Sequence, residues 1–468
     1  MIDDTISTPV TVIGAGLAGS EAALQLSRRG FSVRLYEQKP KERTPAQTSD
    51  SLCELVCSNS FRGAALTNAV GLLKAEMRGL GSFVMAAAEE CRVPAGGALA
   101  VDRERFSALM TQWLRADPKI ELLSERVDAL PKSGPTIVAT GPLTGTALAE
   151  DIARCLGEEH LAYYDAIAPI VAADSLNREV VFAASRYDKG ETEEEQKAYL
   201  NCPLTKEQYG ALVTELRNSR TIEAKPFEKV RYFEGCLPIE VMAERGEKTL
   251  SFGPLKPVGL TDPRTGRWPH AVVQLRKEDK SGQAYNLVGF QTRMARGEQD
   301  RVFRMIPGLE NAEFMRYGAI HRNTFVNAPK CLDETFRLRT QPDLYFAGQV
   351  TGTEGYVESA AGGLLVSHFL AERLSGREPE LPPESSAHRG LIQHSRNNPE
   401  DYQPSNITFA HLAPWEGPRL KKRAKYEAMA HRSLRELKAW AETSALGWRG
   451  DLPESAPDAI EATAASSN

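Results

Sequence analysis

The chain has 468 residues and a mass of 51.4 kDa, about three times the usual domain size, which favours two or three domains. Hydrophobic residues make up 41% and charged residues 25%, and no apolar run approaches the roughly 18 residues of a membrane-spanning helix, which excludes mostly disordered, collagen-like and membrane-spanning chains. The formal net charge of −5 excludes a polycation, so any nucleic-acid surface must be local.

The N-terminus and the cysteines predict a cytoplasmic protein that makes no membrane contact. Residues 1–9 are acidic and polar, whereas a secretory signal would be basic and then apolar. The 7 cysteines are odd in number and lack the C-x2-C spacing of zinc sites, so we expect thiols without a disulfide framework or a structural metal.

The first predicted elements form a dinucleotide-binding unit. Residues 10–13 are a short β-branched run, Gly14-Ala-Gly16-Leu-Ala-Gly19 follows at once, and residues 20–29 carry apolar side chains at helical spacing. A second alternating strand, residues 31–36, ends at Glu37. Strand, glycine turn, helix, strand and terminal acid agree with one another, so the motif predicts more than an ordinary turn.

Each part of this turn has a physical task. Gly14 permits the tight turn, Gly16 lets the backbone approach a pyrophosphate, and Gly19 allows close helix packing. The helix N-terminus faces the phosphates with free N–H groups, and Glu37 is placed to accept hydrogen bonds from ribose hydroxyls. We therefore predict that the cofactor contacts Gly14, Ala15, Gly16, Leu17, Ala18, Gly19 and Glu37.

Two later segments favour FAD over NAD as the bound dinucleotide. Residues 136–141 and 343–348 look like strands that return to the cofactor and end at Gly141 and Gly348. Ordinary buried strands ending in glycine are the alternative. No second G-x-G-x-x-G occurs, so NADH or NADPH would have to dock transiently on the flavin.

The rest of the chain predicts an insertion into this unit. Tyrosines, prolines and charges increase after Gly141, strand-like pieces recur at 271–275 and 285–289, and residues 359–374 look like a closing helix. We predict an α/β fold: an FAD-binding Rossmann-like domain of the glutathione-reductase type with an inserted α+β domain. The expected borders are listed in chain order: 1–160 first FAD part, 161–319 insertion, 320–445 second FAD part, and 450–468 disordered tail.

Residues 419–438 carry a local excess of positive charge. They contain eight Lys or Arg, and His431, against two Glu. A basic helix that neutralises RNA phosphates is one interpretation, and a solvated helix face is the other.

Two of the cysteines lie in segments that favour chemistry. Cys57 lies downstream of Glu37, and Cys236 lies in a strand broken by Gly235 and Pro238. The remaining thiols are expected to be inert core residues or incidental, and they are Cys53, Cys91, Cys155, Cys202 and Cys331.

Several ordered motifs together resemble one enzyme family between about residues 10 and 440. The motifs are Gly14–Gly19, Ser58-Asn-Ser60, Val93-Pro-Ala-Gly-Gly-Ala-Leu-Ala-Val101, Ser185-Arg-Tyr-Asp-Lys-Gly190, Phe233-Glu-Gly-Cys236-Leu-Pro-Ile-Glu240, Gly253-Pro-Leu-Lys-Pro-Val-Gly259 and Gly352-Thr-Glu-Gly-Tyr-Val-Glu-Ser359. They resemble the folate- and FAD-dependent tRNA (uracil-5-)-methyltransferases of the TrmFO type.

The resemblance implies a reaction and its partners. Carbon from methylenetetrahydrofolate and reducing equivalents from NADH or NADPH would methylate C5 of the T-loop uridine in the T-arm of tRNA. In the family, a thiolate adds to uracil C6 and the carbon passes through a methylene on flavin N5. The motif match implies that Cys236 is the nucleophile and that Cys57 acts beside the flavin as base or shield, although the reverse assignment is possible. Tyr356 and His321 are candidates for folate contact.

Three alternatives stay open at this point. The same chemistry on a ribosomal RNA uridine would need only a different RNA-facing surface. A flavin-dependent NAD(P)H disulfide reductase would use Cys53 and Cys57, although their C-x3-C spacing and the missing nicotinamide domain count against it. A non-catalytic flavoprotein would bind RNA through residues 419–438. The sequence does not determine the oligomeric state.

Overall fold

The computed structural model describes residues 8–44, 46–157, 161–190, 192–222, 237–279, 281–397, 399–400, 402–444 and 446–450. For residues 161–167, 320–322 and 324 it describes the backbone alone. Cys236 and the expected tail after residue 450 therefore lie outside the described residues.

The described strands and helices are mixed along the chain. In chain order the strands are β1 Val10–Ile13, β2 Val33–Tyr36, β3 Ser60–Gly63, β4 Arg92–Val93, β5 Ala98–Val101, β6 Ile120–Leu123, β7 Thr136–Val138, β8 Leu161–Ile167, β9 Ile170–Ala172, β10 Phe182–Ala183, β11 Tyr199–Leu204, β12 Ala271–Lys277, β13 Ala284–Leu287, β14 Phe314–Arg316, β15 Ala319–Phe325 and β16 Leu344–Phe346. The helices are α1 Leu17–Arg28, α2 Ala69–Gly79, α3 Phe83–Glu90, α4 Arg103–Ala116, α5 Thr146–Leu156, α6 Glu193–Gln196, α7 Lys206–Asn218, α8 Ile239–Glu244, α9 Thr249–Phe252, α10 Arg296–Phe303, α11 Ala328–Cys331, α12 Tyr356–Leu374, α13 Ala387–His394 and α14 Lys422–Thr443.

A five-stranded parallel sheet organises the N-terminal part. Its order is β16-β7-β1-β2-β6, and every pairing is parallel. Helices α1 and α12 pack against each other beside it, and α1 buries almost its whole length because small and apolar residues follow the glycine turn. The crossing between β1 and its two neighbours is the Rossmann arrangement, so the predicted fold class is confirmed.

The predicted elements of this unit agree with the structure except at some ends. Strand β1 has the predicted bounds, and the two returning segments form β7 and β16 side by side. Helix α1 begins at Leu17, three residues before the apolar periodicity starts, because Gly16 in extended conformation ends the turn there. Helix α12 likewise begins at Tyr356, ahead of the predicted residue 359.

A six-stranded antiparallel sheet forms a second layer with its own apolar core. Its order is β10-β11-β12-β13-β9-β14, and all these strands fall between residues 170 and 316. The strands β8 and β15 pair antiparallel across the expected border and connect the two parts. The exact domain borders stay a prediction.

Two further groups of elements complete the described fold. The strands β3, β5 and β4 form a small sheet whose residues fall between β2 and β6 in sequence, and α13 and α14 pack on α2. None of the helices in the described part of the chain has the length and apolar character needed to cross a bilayer.

Candidate active site

A cavity of about 460 Å³ opens at the carboxyl ends of the parallel strands. Its wall is formed by the turn after β1, the end of β2, the turn after β7, the loop that carries Cys57, and the start of α12. Ligands of open α/β sheets bind at this edge, where neighbouring connections diverge.

The glycine turn has the geometry of a phosphate cradle. Gly14 has a φ of +100°, and a Cβ there would lie 2.6 Å from the Ala139 carbonyl oxygen. A Cβ at Gly19 would lie 1.8 Å from the Gly14 carbonyl oxygen, whereas one at Gly16 would meet no atom within 4 Å. The turn is therefore closed toward the protein and open at Gly16, as the backbone of a pyrophosphate site must be.

The carboxylate of Glu37 is held in the cavity wall at 7% exposure. Its Oε2 accepts a hydrogen bond from the Ala15 amide at 3.0 Å, and its Oε1 accepts one from the Lys39 amide at 3.1 Å. Each oxygen keeps a lone pair for a ribose hydroxyl, so the residues present fit the adenosine half of FAD.

The predicted cofactor residues divide into those in the wall and those behind it. Gly14, Gly16, Leu17, Ala18, Glu37 and Gly141 line the cavity. Ala15 acts through its amide on Glu37, and Gly19 packs against Gly14. Gly348 has a φ of +78° and packs against Ala18, while its neighbours Ala347 and Gln349 line the wall.

Cys57 lies in the wall of the same cavity. The Tyr356 Oη accepts hydrogen bonds from the Cys57 amide at 2.7 Å and from the Ser58 amide at 3.1 Å. The Tyr356 ring also packs against the buried Phe61, with ring centroids 6.0 Å apart. Tyr356 therefore fixes the backbone of the thiol-bearing loop.

Two arginines supply positive charge around this thiol. Burial lowers the pKa of the Arg316 guanidinium, and the neighbouring positive charge of Arg103 lowers it further. Negative charge on the Cys57 sulfur would raise this pKa. Arg103 Nε pairs with Glu278 at 2.6 Å, and its Nη1 donates to the Leu55 carbonyl at 3.0 Å. A cation close to a thiol stabilises its thiolate form, so Arg316 is a candidate partner for Cys57.

The inserted sheet also contacts the thiol loop. Arg276 on β12 donates to the Asn59 Oδ1 at 2.9 Å and to the Ser58 Oγ at 2.6 Å. Asn59 Nδ2 donates back to the Lys277 carbonyl at 2.8 Å. The Ser58-Asn-Ser60 motif therefore joins the two parts of the chain directly beside Cys57.

Known proteins resemble this chain over nearly its whole length. The family model of glucose inhibited division protein A matches residues 9–378. A relative named methylenetetrahydrofolate–tRNA-(uracil-5-)-methyltransferase TrmFO from Geobacter sulfurreducens is 54% identical over 435 residues, covering 93% of this chain and 99% of the relative. Proteins of the same name from Pelotomaculum thermopropionicum and Rhizorhabdus wittichii are 52% and 54% identical over 93% and 92% of this chain, and 98% of each relative is covered.

The chain belongs to the TrmFO family. The expected resemblance is thereby confirmed. A solved structure of Aquifex aeolicus GidA is similar with a TM-score of 0.68 at 16% identity, covering 98% of this chain and 76% of that chain. At that identity the likeness supports the FAD-binding fold alone.

Of the other predicted thiols of this TrmFO-family chain, Cys53, Cys91, Cys202 and Cys331 are buried as expected, whereas Cys155 is partly exposed and its Sγ donates to Gln341 Oε1 at 3.1 Å. Cys53 is 1% exposed, and burial raises the pKa of its thiol to about 12. Burial also raises the pKa of the Cys202, Cys91 and Cys155 thiols. A disulfide reductase needs a reactive thiolate, so the environment of Cys53 opposes that alternative.

The basic segment of this TrmFO-family chain is only partly available to RNA. Helix α14 covers most of it and buries one face that includes Met429 and Leu437. Arg432 makes contacts within the protein: its Nη1 donates to the Pro414 carbonyl at 2.9 Å, and its guanidinium lies 6.0 Å from the centroid of the Trp415 ring. The exposed cations lie mainly before and at the start of the helix, at Arg419, Lys421, Lys422 and Arg423.

Of the two folate candidates, Tyr356 is the one whose side chain is described. Its hydroxyl is engaged by the Cys57 loop, and its ring lines the cavity. The side chain of His321 lies outside the described residues.

Buried carboxyls beside the cavity were missed from sequence. Glu354 lines the wall at 4% exposure, and both its oxygens accept from Gln349 Nε2, at 2.8 and 2.9 Å. Burial, assisted by the neighbouring Glu358, raises its pKa to about 8, while Arg62 opposes the rise. Arg62 forms an ion pair with the fully buried Glu358. The sequence showed both acids within one motif, but their burial depends on distant segments.

A Glu354→Gln substitution is expected to change how stability depends on pH. Because the folded pKa is raised from 4.5 to about 8, the folded protein binds a proton that the unfolded chain releases across this window. The free energy of unfolding of the wild type should therefore fall as the pH rises toward 8. The upper limit of this loss is about 1.4 kcal/mol for each unit by which the folded and unfolded pKa values of Glu354 differ. Glutamine stays neutral, so the variant should match wild type at pH 5 and melt at higher temperature at pH 8.5.

Thermal melting of both proteins at the two pH values measures this effect. Glu121→Gln, a substitution of an exposed carboxylate, is the matched control and should show no such pH-dependent difference. An equal offset between wild type and Glu354→Gln at both pH values would contradict the neutral state of Glu354.

Proposed function

We propose that this protein methylates C5 of the T-loop uridine in tRNA, taking carbon from methylenetetrahydrofolate and reducing equivalents from NADH or NADPH. One observation carries the proposal: the glycine turn and the Cys57 loop line the same cavity. The relatives at 54% identity bear the name of a tRNA (uracil-5-)-methyltransferase, which supports the transfer of that activity to this chain.

The residue types suit the proposed chemistry. Uracil C5 is a poor nucleophile, and a thiolate that adds to C6 makes C5 electron-rich enough to attack an electrophilic carbon. A base then removes the C5 proton, and the C6–S bond breaks to restore the ring. When bound, FAD supplies the one-carbon transfer and the two electrons that complete the methyl group.

We assign the attack to Cys236 and the base or shield role to Cys57. Cys57 lies in the wall, with its backbone fixed by Tyr356 and cations close by. Cys236 lies outside the described residues, so its assignment depends on the motif. The described chain nearby supports it, because the Ile239 amide donates to the Gln291 carbonyl at 2.7 Å and Gln291 lines the cavity.

The same proposal names the groups that hold FAD. Gly14 and Gly16 with the N-terminus of α1 would receive the pyrophosphate, and Glu37 the ribose. Gly141 would border the cofactor, and Gly348 would support the turn through Ala18. We further propose the domain borders given above and a cytoplasmic location, where tRNA and its reductants meet.

Incubation with separate RNAs tests the function. The holoenzyme is given unmodified tRNA or ribosomal RNA with methylenetetrahydrofolate and NADPH or NADH, and 5-methyluridine is mapped. We expect a yellow protein and one modified position, in the T loop of tRNA. Modification of ribosomal RNA alone would overturn the substrate assignment, and NAD(P)H consumption with dithiols but without RNA would favour the reductase.

A further inference from the structure

The loop at residues 185–190 presents an aromatic ring that the proposed chemistry leaves unused. Tyr187 is 61% exposed. Its φ is 57°, and that of the following Asp188 is 49°, so two consecutive residues with side chains adopt the left-handed conformation. This conformation raises the free energy of any residue other than glycine, and such residues cluster at functional sites. A binding role for the exposed ring would account for it.

The loop is rigidly fixed in this conformation. Ser185 Oγ donates to the Lys189 carbonyl at 2.6 Å, and the Tyr187 amide donates to the Gly259 carbonyl at 2.9 Å. A Cβ at Gly259 would lie 3.0 Å from three atoms of the Tyr187 ring, on both its edges. One face of the ring therefore lies on the glycine backbone, and the opposite face is left to solvent.

Hydrogen bonds connect the loop to the cavity. Arg186 Nε donates to the Gln274 Oε1 at 3.0 Å. Gln274 and Arg276 are two residues apart on β12, so they share a face of the sheet and are separated by roughly 7 Å. Arg276 lines the cavity and binds Ser58, the neighbour of Cys57. Arg186, the residue before Tyr187, is thus held on the face of β12 that also carries the cavity residue Arg276.

Two exposed lysines in the neighbouring segments supply positive charge for a phosphate-bearing partner, whereas Glu193 and Glu195 of α6 are paired with Lys197 and Arg92. Lys189, in the loop, and Lys256, in the segment that ends at Gly259, are exposed and form no ion pair with a described residue. Asp188 is an exposed acid beside them. An open aromatic face with flanking lysines is the combination that binds unpaired bases of nucleic acids.

We propose that Tyr187 is a stacking platform for an unpaired base of the substrate RNA near the target uridine, with Lys189 and Lys256 contacting its phosphates. The proposal rests on the proposed function, because it takes RNA as the substrate. The proposal requires an RNA loop with unstacked bases, because a base stacked within an RNA helix could not cover the ring.

Two substitutions distinguish the effect of the aromatic ring from that of the backbone conformation. Tyr187→Asn removes the ring and suits the left-handed backbone, and Tyr187→Phe keeps the ring. With fluorescein-labelled unmodified tRNA and holoenzyme, we expect the Asn variant to bind about 5- to 150-fold more weakly and the Phe variant to bind within about 2-fold of wild type. Flavin reduction by NADPH without RNA and the melting temperature should be unchanged in both.

The outcomes distinguish this proposal from the proposed function. Wild-type affinity in Tyr187→Asn, or equal loss in Tyr187→Phe, would overturn the platform even if wild type methylates tRNA. Failure of wild type to methylate any RNA would overturn the function instead. If Tyr187→Asn melts early, Tyr187→Gly, which relaxes the backbone, replaces it under the same criteria.

The lysines have a separate readout. A Lys189→Gln, Lys256→Gln double variant should reduce the slope of log Kd against log salt concentration by about 1.4, since each single-strand phosphate contact contributes about 0.7. An unchanged slope would remove the phosphate contacts from the proposal.

Discussion

A Cys236→Ala protein that still carries FAD is expected to lose uridine methylation by at least about 10³-fold. Alanine cannot add to C6, so C5 stays a poor nucleophile, while the proposed FAD contacts at the glycine turn and Glu37 are unchanged. Flavin reduction by NADPH should therefore continue at the wild-type rate. Appreciable 5-methyluridine from this variant would remove Cys236 as the nucleophile.

RNA containing 5-fluorouridine at the target position separates the two thiols. With methylenetetrahydrofolate present, C5 takes up the one-carbon unit; fluorine cannot then leave as the C5 proton does, so the C6–S bond to the attacking sulfur should persist in denaturing gels. We expect this adduct with wild type and with Cys57→Ala but not with Cys236→Ala. Cys155→Ala removes a thiol that does not line the cavity and is the matched control. An adduct with Cys236→Ala that is absent with Cys57→Ala would reverse the assignment.

The parts of the fold that the sequence predicted are those determined by neighbours in the chain. The turn from Gly14 to Gly19 and its acid at Glu37 lie within one βαβ unit, and local steric rules determine their geometry. The returning strands β7 and β16 were recognisable because short apolar runs ending in glycine recur. The order of the antiparallel sheet was not predictable, since its strands give no local sign of which partner they choose.

The parts of the site that were missed depend on contacts between distant segments. Lys74 is an example: its Nζ donates to the carbonyls of Phe61, Arg62 and Gly63 at 2.7, 3.1 and 2.7 Å, and fixes the strand after the Cys57 loop. In the sequence it is an ordinary helical lysine. The raised pKa of Glu354 has the same origin, because burial by later segments produces it.

A Glu76→Gln substitution is expected to lower the free energy of local unfolding of the C-terminal helices α13 and α14 by about 2–4 kcal/mol. Glu76 on α2 is fully buried. Its oxygens accept from the Ala387 amide at 2.8 Å, from the His388 amide at 3.0 Å and from the Ser433 Oγ at 2.5 Å, and His388 Nδ1 lies 2.7 Å from its Oε2. One carboxylate thus satisfies the first turn of α13 and binds α14 to the FAD-binding part.

Glutamine has the same shape but replaces one acceptor oxygen with a donor. The buried donors around it would then face an NH₂ group, and none of them can reach water. Amide hydrogen exchange measured by mass spectrometry should accelerate by about 30- to 700-fold in α13 and α14, where 1.4 kcal/mol corresponds to a factor of ten. Strands β1 and β7 should exchange at the wild-type rate.

Glu121→Gln, at an exposed ion pair with Arg34, is the matched control and should leave exchange unchanged. Unaltered exchange in α13 and α14 of the Glu76 variant would mean that apolar packing alone holds them. The distinction bears on the interpretation of residues 419–438 as an RNA surface, because the exposed cations at the start of α14 would have a fixed position only if α14 itself is held. Acceleration confined to these two helices, together with weaker tRNA binding and unchanged FAD content, would establish Glu76 as the link between the cofactor-binding core and this basic surface.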